Sequence, residues 1–161
     1  MVSLSFSLTG CGDVGSNIKS FLKGDVVGEM NKTYSTQWFD FTIKSIKSAY
    51  VYENYEVEEG YKFVLVRVSE TNTFHEPIPM SCSDFYLDAV GIIEEDKYPY
   101  SPFEDEDSMM MPAEFTLSLN ETVEYDVVFS IPDNIMEISF IYEEIDIEEN
   151  IGATFTIKHS L

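Results

Sequence analysis

The sequence predicts an all-β domain, an immunoglobulin-like antiparallel β-sandwich of about seven to eight strands, and three observations carry that reading. First, Tyr61 to Val68 (YKFVLVRV) is apolar or aromatic on both alternating sets, with Tyr61, Phe63 and Leu65 on one face and Val64, Val66 and Val68 on the other. A strand of that kind must be covered on both faces, which places it in the middle of a sheet. Second, the flanking segments alternate apolar and polar residues with the period of two of a half-buried strand, and turn-forming residues separate them. Third, ten Tyr and twelve Phe suit strands better than helices. The 161 residues fit one domain with a tail. A domain of that size buries roughly two-thirds of its unfolded surface and needs no disulfide or metal to fold.

Met1 to Cys11 reads MVSLSFSLTGC, and Leu8-Thr9-Gly10-Cys11 matches the cleavage box of bacterial lipoproteins, where a small residue precedes a cysteine that receives diacylglycerol. A signal peptide has a basic leading region and an apolar core of about 7–15 residues. No Lys or Arg precedes Cys11 and the apolar stretch is short and Ser-rich, so residues 1–11 read as a truncated signal peptide whose start lies upstream, with Cys11 as the lipidation site. Gly12-Asp13-Val14-Gly15-Ser16 is a small, polar tether, and residues 12–33 read as a flexible linker carrying Lys19, Lys23 and Lys32. No stretch approaches the roughly 20 apolar residues of a membrane-spanning helix.

The folded domain is expected over residues 34–161. Phe39, Phe41 and Ile43 alternate with Asp40, Thr42 and Lys44, followed by Ile46 and the Tyr50-Val51-Tyr52 patch. Glu58-Glu59-Gly60 forms a corner into the central strand; Asn72, Pro77 and Pro79 then force a connection. Phe85, Leu87 and Ala89 restart the alternation, which Gly91 ends, and Ile92 to Met111 is the longest irregular piece. Phe115, Leu117 and Leu119 make a short strand, and Asn120-Glu121 a corner. Val123, Tyr125, Val127, Phe129 and Ile131 give five inward positions before Pro132. Ile138, Phe140 and Tyr142, then Ile151, Ala153, Phe155 and Ile157, close the domain. The expected core is Phe63, Leu65, Val66, Phe85, Leu87, Val127, Phe129 and Phe140. Trp38, the one Trp, precedes the sheet core, so the Cys…Trp…Cys signature of antibody domains is missing.

Gly60, Phe63, Val64, Val66, Val68, Asn72, Pro77-Ile78, Asp84-Phe85-x-Leu87 and Gly91, with the later Leu119…Thr122, Val128-Phe129-x-Ile131-Pro132 and Gly152-x-x-Phe155, resemble a bacterial domain-of-unknown-function group, DUF4352. The match covers about Tyr34 to Ile157, and its motifs are structural ones. The resemblance implies a secreted or lipid-anchored protein of a Gram-positive bacterium, similar in fold to a mycobacterial immunoprotective extracellular antigen. It transfers no catalytic residue. One departure is Asn120, where the family usually has Gly in a turn; Asn tolerates positive φ better than most residues.

The net charge of −21 comes from 30 acids against nine basic residues, and no Lys or Arg lies between Tyr98 and Ile157, a span that holds half of the acids. Such a surface repels phosphate backbones, which excludes nucleic acid as a partner, and disfavours lying flat on an anionic membrane. Its ordinary role is to keep a protein soluble through self-repulsion.

Catalytic signatures are sparse. Cys82 reads as a buried thiol rather than a nucleophile, since no acid–base partner stands beside it in sequence. His75 and His159 are too far apart to form a motif, and His75 with Cys82 lacks two further zinc ligands. Ser81, Ser83 and Asp84 near His75 suggest a hydrolase only superficially, because there is no G-x-S-x-G elbow, and no Gly-rich phosphate loop exists. The acidic loops Glu94-Glu95-Asp96, Glu104 to Asp107 and Glu143 to Glu149 are the candidate calcium sites. None fits an EF-hand, since Met109 and Met110 stand where Asp or Asn and Gly belong after Asp105 and Asp107. No metal or cofactor is expected. The Met109-Met110-Met111 triplet reads first as packing under a long loop and second as an adaptable contact surface.

The function expected is that of a non-catalytic, extracellular binding or adaptor module, anchored to the cell membrane by lipid on Cys11. The alternative is a small extracellular enzyme or enzyme inhibitor at the cell wall, with calcium bound. A cluster of raised-pKa carboxylates in one deep pocket would favour that alternative. Long irregular segments in compact domains usually serve function. The partner, a protein or cell-wall component, is expected on Tyr98, Tyr100 and Phe103, whose rings suit contact surfaces, with Glu104, Asp105, Glu106 and Asp107 steering a basic surface toward them.

Overall fold

The run that is apolar on both faces lies in the interior of a four-stranded sheet, as its pattern requires. The computed structural model describes residues 24–100, 108–145 and 151–161. They contain strands β1 (Gly24–Gly28), β2 (Thr33–Ser35), β3 (Phe39–Ala49), β4 (Val51–Tyr52), β5 (Tyr55–Glu56), β6 (Tyr61–Asn72), β7 (Ile78–Ser81), β8 (Phe85–Asp88), β9 (Glu114–Leu117), β10 (Thr122–Pro132), β11 (Glu137–Ile145) and β12 (Ile151–Ser160). Two four-stranded sheets, β1-β12-β11-β8 and β10-β6-β3-β2, form the all-β sandwich, and β4-β5 and β7-β9 are short side pairs. The helical content among the described residues is two 3-10 turns, Cys82–Asp84 and Glu94–Lys97.

Strand β6 pairs with β10 through Val66↔Val127 and with β3 through Val66↔Ile46, both antiparallel. Its inner positions Val64, Val66 and Val68 are sealed in the main core. Its outer positions Phe63 and Leu65 meet Val128, Met110, Tyr52 and Tyr55 in a second, smaller cluster. Leu65 is therefore a correction to the expected core: it is half-buried, on a face covered by a small cluster of the β4-β5 pair, Val57 and Met110 rather than by the second sheet. The other seven expected core residues are buried.

Aromatic rings join the layers. Phe41 of one sheet meets Phe85, Tyr142 and Phe155 of the other at centroid distances of 6.3, 5.5 and 5.4 Å, and Phe129 meets Phe140 at 6.1 Å. Edge and tilted arrangements of this kind add to the area the rings bury. A bulge between Ile43 and Ser45 in β3 lets Lys44 stay exposed and returns Ile46 to the inner face, which is why the inward set changes from odd to even positions there.

Residues 24–33, expected within the linker, are a second correction. Gly24–Gly28 forms an edge strand parallel to β12, from Gly24↔Ala153 to Gly28↔Ile157, the one parallel pairing in an otherwise antiparallel set of named strands. The strand shows no clean alternation because only Val26 packs inward while Val27 is exposed; its ladder to β12 defines it. Gly28 is set there by close approach: a Cβ would lie 2.9 Å from Cγ1 of Ile157.

The long segment between β8 and β9 is anchored more firmly than its composition suggests. The Tyr100 N–H donates to the Val128 carbonyl at 2.6 Å, and Met111 N–H and Met109 C=O pair with Asp126 at 2.9 and 2.8 Å, so this segment lines the free edge of β10. Successive side chains alternate there. Met110 enters the outer cluster, Met111 the main core, and Met109 is exposed, which bears out packing for two of the three methionines. Asn120 takes φ 59°, as the turn requires, with the Glu121 carboxylate accepting from the Ser118 N–H at 2.7 Å.

Candidate functional site

The end of the sandwich where β3 and β8 begin and β6 and β11 finish carries a cleft of about 800 Å³. Four stretches of the chain build most of it, and Tyr98 from a fifth joins them. Thr36 sets the first: its hydroxyl donates to the Phe39 carbonyl at 2.8 Å and accepts from the N–H groups of Trp38 and Phe39 at 3.1 and 3.0 Å. The Trp38 indole N–H then reaches the Ile145 carbonyl across the layers at 3.0 Å. Asn72, buried at the end of β6, sets the second. Its amide donates to the Glu76 and Leu117 carbonyls, each at 2.9 Å, and its oxygen accepts from the Phe74 N–H at 2.8 Å. This holds Phe74 edge-on against Trp38, with centroids 4.9 Å apart.

The third segment is the Ser81–Asp84 turn. The Asp84 carboxylate accepts from the Ser81 N–H at 2.8 Å while the Ser81 hydroxyl accepts from the Ser83 N–H, a reciprocal cap that fixes Asp84 on the cleft wall. The apolar walls push the Asp84 carboxyl above its usual range, opposed by that N–H. The fourth is the end of β11, where Tyr142 and Glu143 line the cleft. The Tyr86 hydroxyl donates to Glu143 at 2.7 Å; burial, and then this bond, push its pKa up.

Two buried carboxyls stand at this end. Glu144 is fully buried between the lining residues Glu143 and Ile145. One of its oxygens accepts from the Gln37 N–H, and the other has no hydrogen-bond partner among the described residues. Glu70, on the inner face of β6, is also fully buried, and neither of its oxygens has such a partner. Burial, and then the Asp84 charge, push its pKa up to about 8, so it carries its proton at neutral pH.

Of the expected contact residues, Tyr98 lines this cleft and is 49% exposed. Tyr100 goes elsewhere, packing on Tyr55 and Phe63 with centroids at 5.8 and 6.5 Å on the outer face of the other sheet. Phe103, Glu104, Asp105, Glu106 and Asp107 lie outside the described residues, as does Cys11. His75 is exposed, with its ring 4.0 Å from that of Phe74, and Cys82 is buried, as expected for that thiol. Among the described residues no group of three or more His, Cys, Asp or Glu is arranged to hold a metal ion. Sequence patterns missed Trp38, Phe74, Asp84, Tyr86 and Tyr142 as one surface. One signal was available, since Glu70 and Asn72 continue the inward set of Val64, Val66 and Val68 with polar groups.

No family model matches the chain, and no curated protein matches it. Solved structures do resemble it. The β-sandwich protein of unknown role from Clostridium difficile 630 aligns with a TM-score of 0.55 at 15% identity, covering 88% of this chain and 99% of that one. The yjhA protein of Bacillus subtilis aligns with a TM-score of 0.57 at 13% identity, covering 80% and 98%. A proposed lipoprotein of Bacillus subtilis, ycdA, aligns with a TM-score of 0.56 at 17% identity over 82% of this chain; this chain spans only 39% of it. At these identities the likeness establishes the fold class, a β-sandwich found in bacterial proteins.

Proposed function

We propose that this protein is a non-catalytic binding module of the DUF4352 type, held at the outer face of a cell membrane by lipid on Cys11, with the cleft beside Trp38 as its binding site. The observation that carries the reading is the cleft itself: aromatic walls from Trp38, Phe74, Tyr86, Tyr98 and Tyr142, with hydrogen bonds tying Trp38, the segment before Phe74, and Tyr86 to the scaffold. Concave sites with mostly apolar walls and a few placed polar groups are where proteins hold small ligands or a protruding piece of a partner. Tyr98 lines the cleft and is half-exposed, so a protein or cell-wall component seated there would meet its ring. The quoted DUF4352 motifs and a proposed lipoprotein among the similar structures support the address. Capture from intact cells by the soluble domain, compared with a Phe74→Ala, Tyr98→Ser double variant, tests it. Capture of the same material by both at equal strength overturns the cleft as the site.

The enzyme alternative has one observation in its favour, the raised pKa values of Glu70 and Asp84. General acid–base work needs both groups within reach of the reacting atoms. Asp84 meets that condition, whereas Glu70 is sealed inside the sandwich. The binding reading is therefore preferred, and turnover of a cell-wall glycan that Asp84→Asn abolishes would reverse the preference.

A further inference from the structure

Taking the cleft as the binding site, we propose that its ligand is an organic cation, an ammonium group joined to an apolar or aromatic body. The walls present Trp38, Phe74, Tyr86, Tyr98 and Tyr142, and the faces of such rings attract cations through their quadrupoles. Asp84, Glu76 and Glu143 line the same space, and among the described residues no Lys or Arg does. Glu144, behind the wall between the lining residues Glu143 and Ile145, leaves one buried carboxyl oxygen with no hydrogen-bond partner among the described residues. His75 is the one lining side chain able to carry positive charge, and it stands exposed beside Glu76 at 3.7 Å. The net charge of −21 attracts cations to the molecule and repels phosphate, sulfate and carboxylate ligands. Uncharged apolar ligands would use the rings but not the acids, so the combination selects a cation with a body of at least one ring's size. A volume of about 800 Å³ leaves room for that body.

Trp38 makes the test direct, because the chain's one Trp lines the cleft and its emission reports occupancy. The full chain is titrated with benzyltrimethylammonium, benzyl alcohol and benzenesulfonate, following Trp38 emission and heat release. The expected result is saturable binding of benzyltrimethylammonium, at least about tenfold weaker binding of benzyl alcohol and none of benzenesulfonate, with added salt weakening the first. Asp84→Asn and Glu143→Gln should each weaken the cation about three- to tenfold and leave benzyl alcohol unchanged, with circular dichroism showing both variants folded. If benzyl alcohol or benzenesulfonate binds as tightly as the cation, the cation inference falls while the cleft stands as a binding site. If none of the three binds with a change in Trp38 emission, both fall.

Discussion

Glu70 is the residue whose placement has the largest measurable effect. Its folded pKa lies at about 8, above the ordinary 4.5 that the unfolded chain returns it to. A raised acid binds more protons folded than unfolded, so the contribution of Glu70 to stability is greatest below about pH 4.5 and declines as pH rises toward 8. The steepest loss is about 1.4 kcal/mol per pH unit for this one group. Glu70→Gln, which keeps the shape of the protonated acid, should match the parent near pH 5 and unfold at higher temperature near pH 8. Melting curves across that range check it, and parallel pH profiles for the two proteins would contradict it. Arg67, the one Arg of the chain, is the opposite case. Its guanidinium donates to both oxygens of buried Asp126 while the Tyr52 hydroxyl adds a third bond at 2.8 Å. Removing one partner of such a pair strands the other charge, which costs about 3–5 kcal/mol. Arg67→Met should therefore lower the urea midpoint clearly, and Arg67→Met with Asp126→Leu should recover part of that loss.

At the scale of elements, alternation was a sufficient guide wherever a strand has one dry face. β6, β10, β11 and β12 follow it closely, and even the change of phase in β3 is written in the spacing of Ile43 and Ile46. It fails for β1, whose main-chain ladder needs no apolar pattern, and for the β8–β9 segment, whose edge pairing uses a few backbone groups and two methionines. The cleft was illegible for a different reason. Trp38, Phe74, Asp84 and Tyr142 become neighbours only through sheet pairings that bridge distant parts of the chain, and no local pattern records those. The same segment separates two roles that composition had merged. Tyr98→Ser should weaken ligand binding and leave the melting temperature almost unchanged, because the ring faces the cleft. Tyr100→Ser should lower the melting temperature, by about 1–3 kcal/mol of stability, because its ring packs on Tyr55 and Phe63. If the two variants exchange these effects, the assignment of the segment is wrong.

For the whole molecule, charge and address act together. A chain at −21 does not settle on an anionic membrane by itself, so attachment there requires a covalent anchor. The lipid proposed on Cys11 would meet that need; a single acyl chain binds marginally and two bind stably. Expressed from its native locus, the protein should partition into detergent with diacylglycerol on Cys11, and Cys11→Ala should abolish both. An intact mass showing unmodified Cys11 still joined to Gly10 contradicts the anchor.

The parallel pairing of β1 with β12 bears on what happens when the chain is pulled from its two ends. Because the two strands run the same way, the incoming end of β1 at Gly24 and the outgoing end of β12 at Ser160 point in opposite directions. Tension between the two ends slides one strand along the other. Their hydrogen bonds are then loaded at once rather than peeled singly. Close seating of Gly28 against Ile157 adds a steric catch to that slide. The domain should resist stretching between its two ends with a higher rupture force than it shows when pulled across the sheet, and it acts in that direction as a tether that holds under strain.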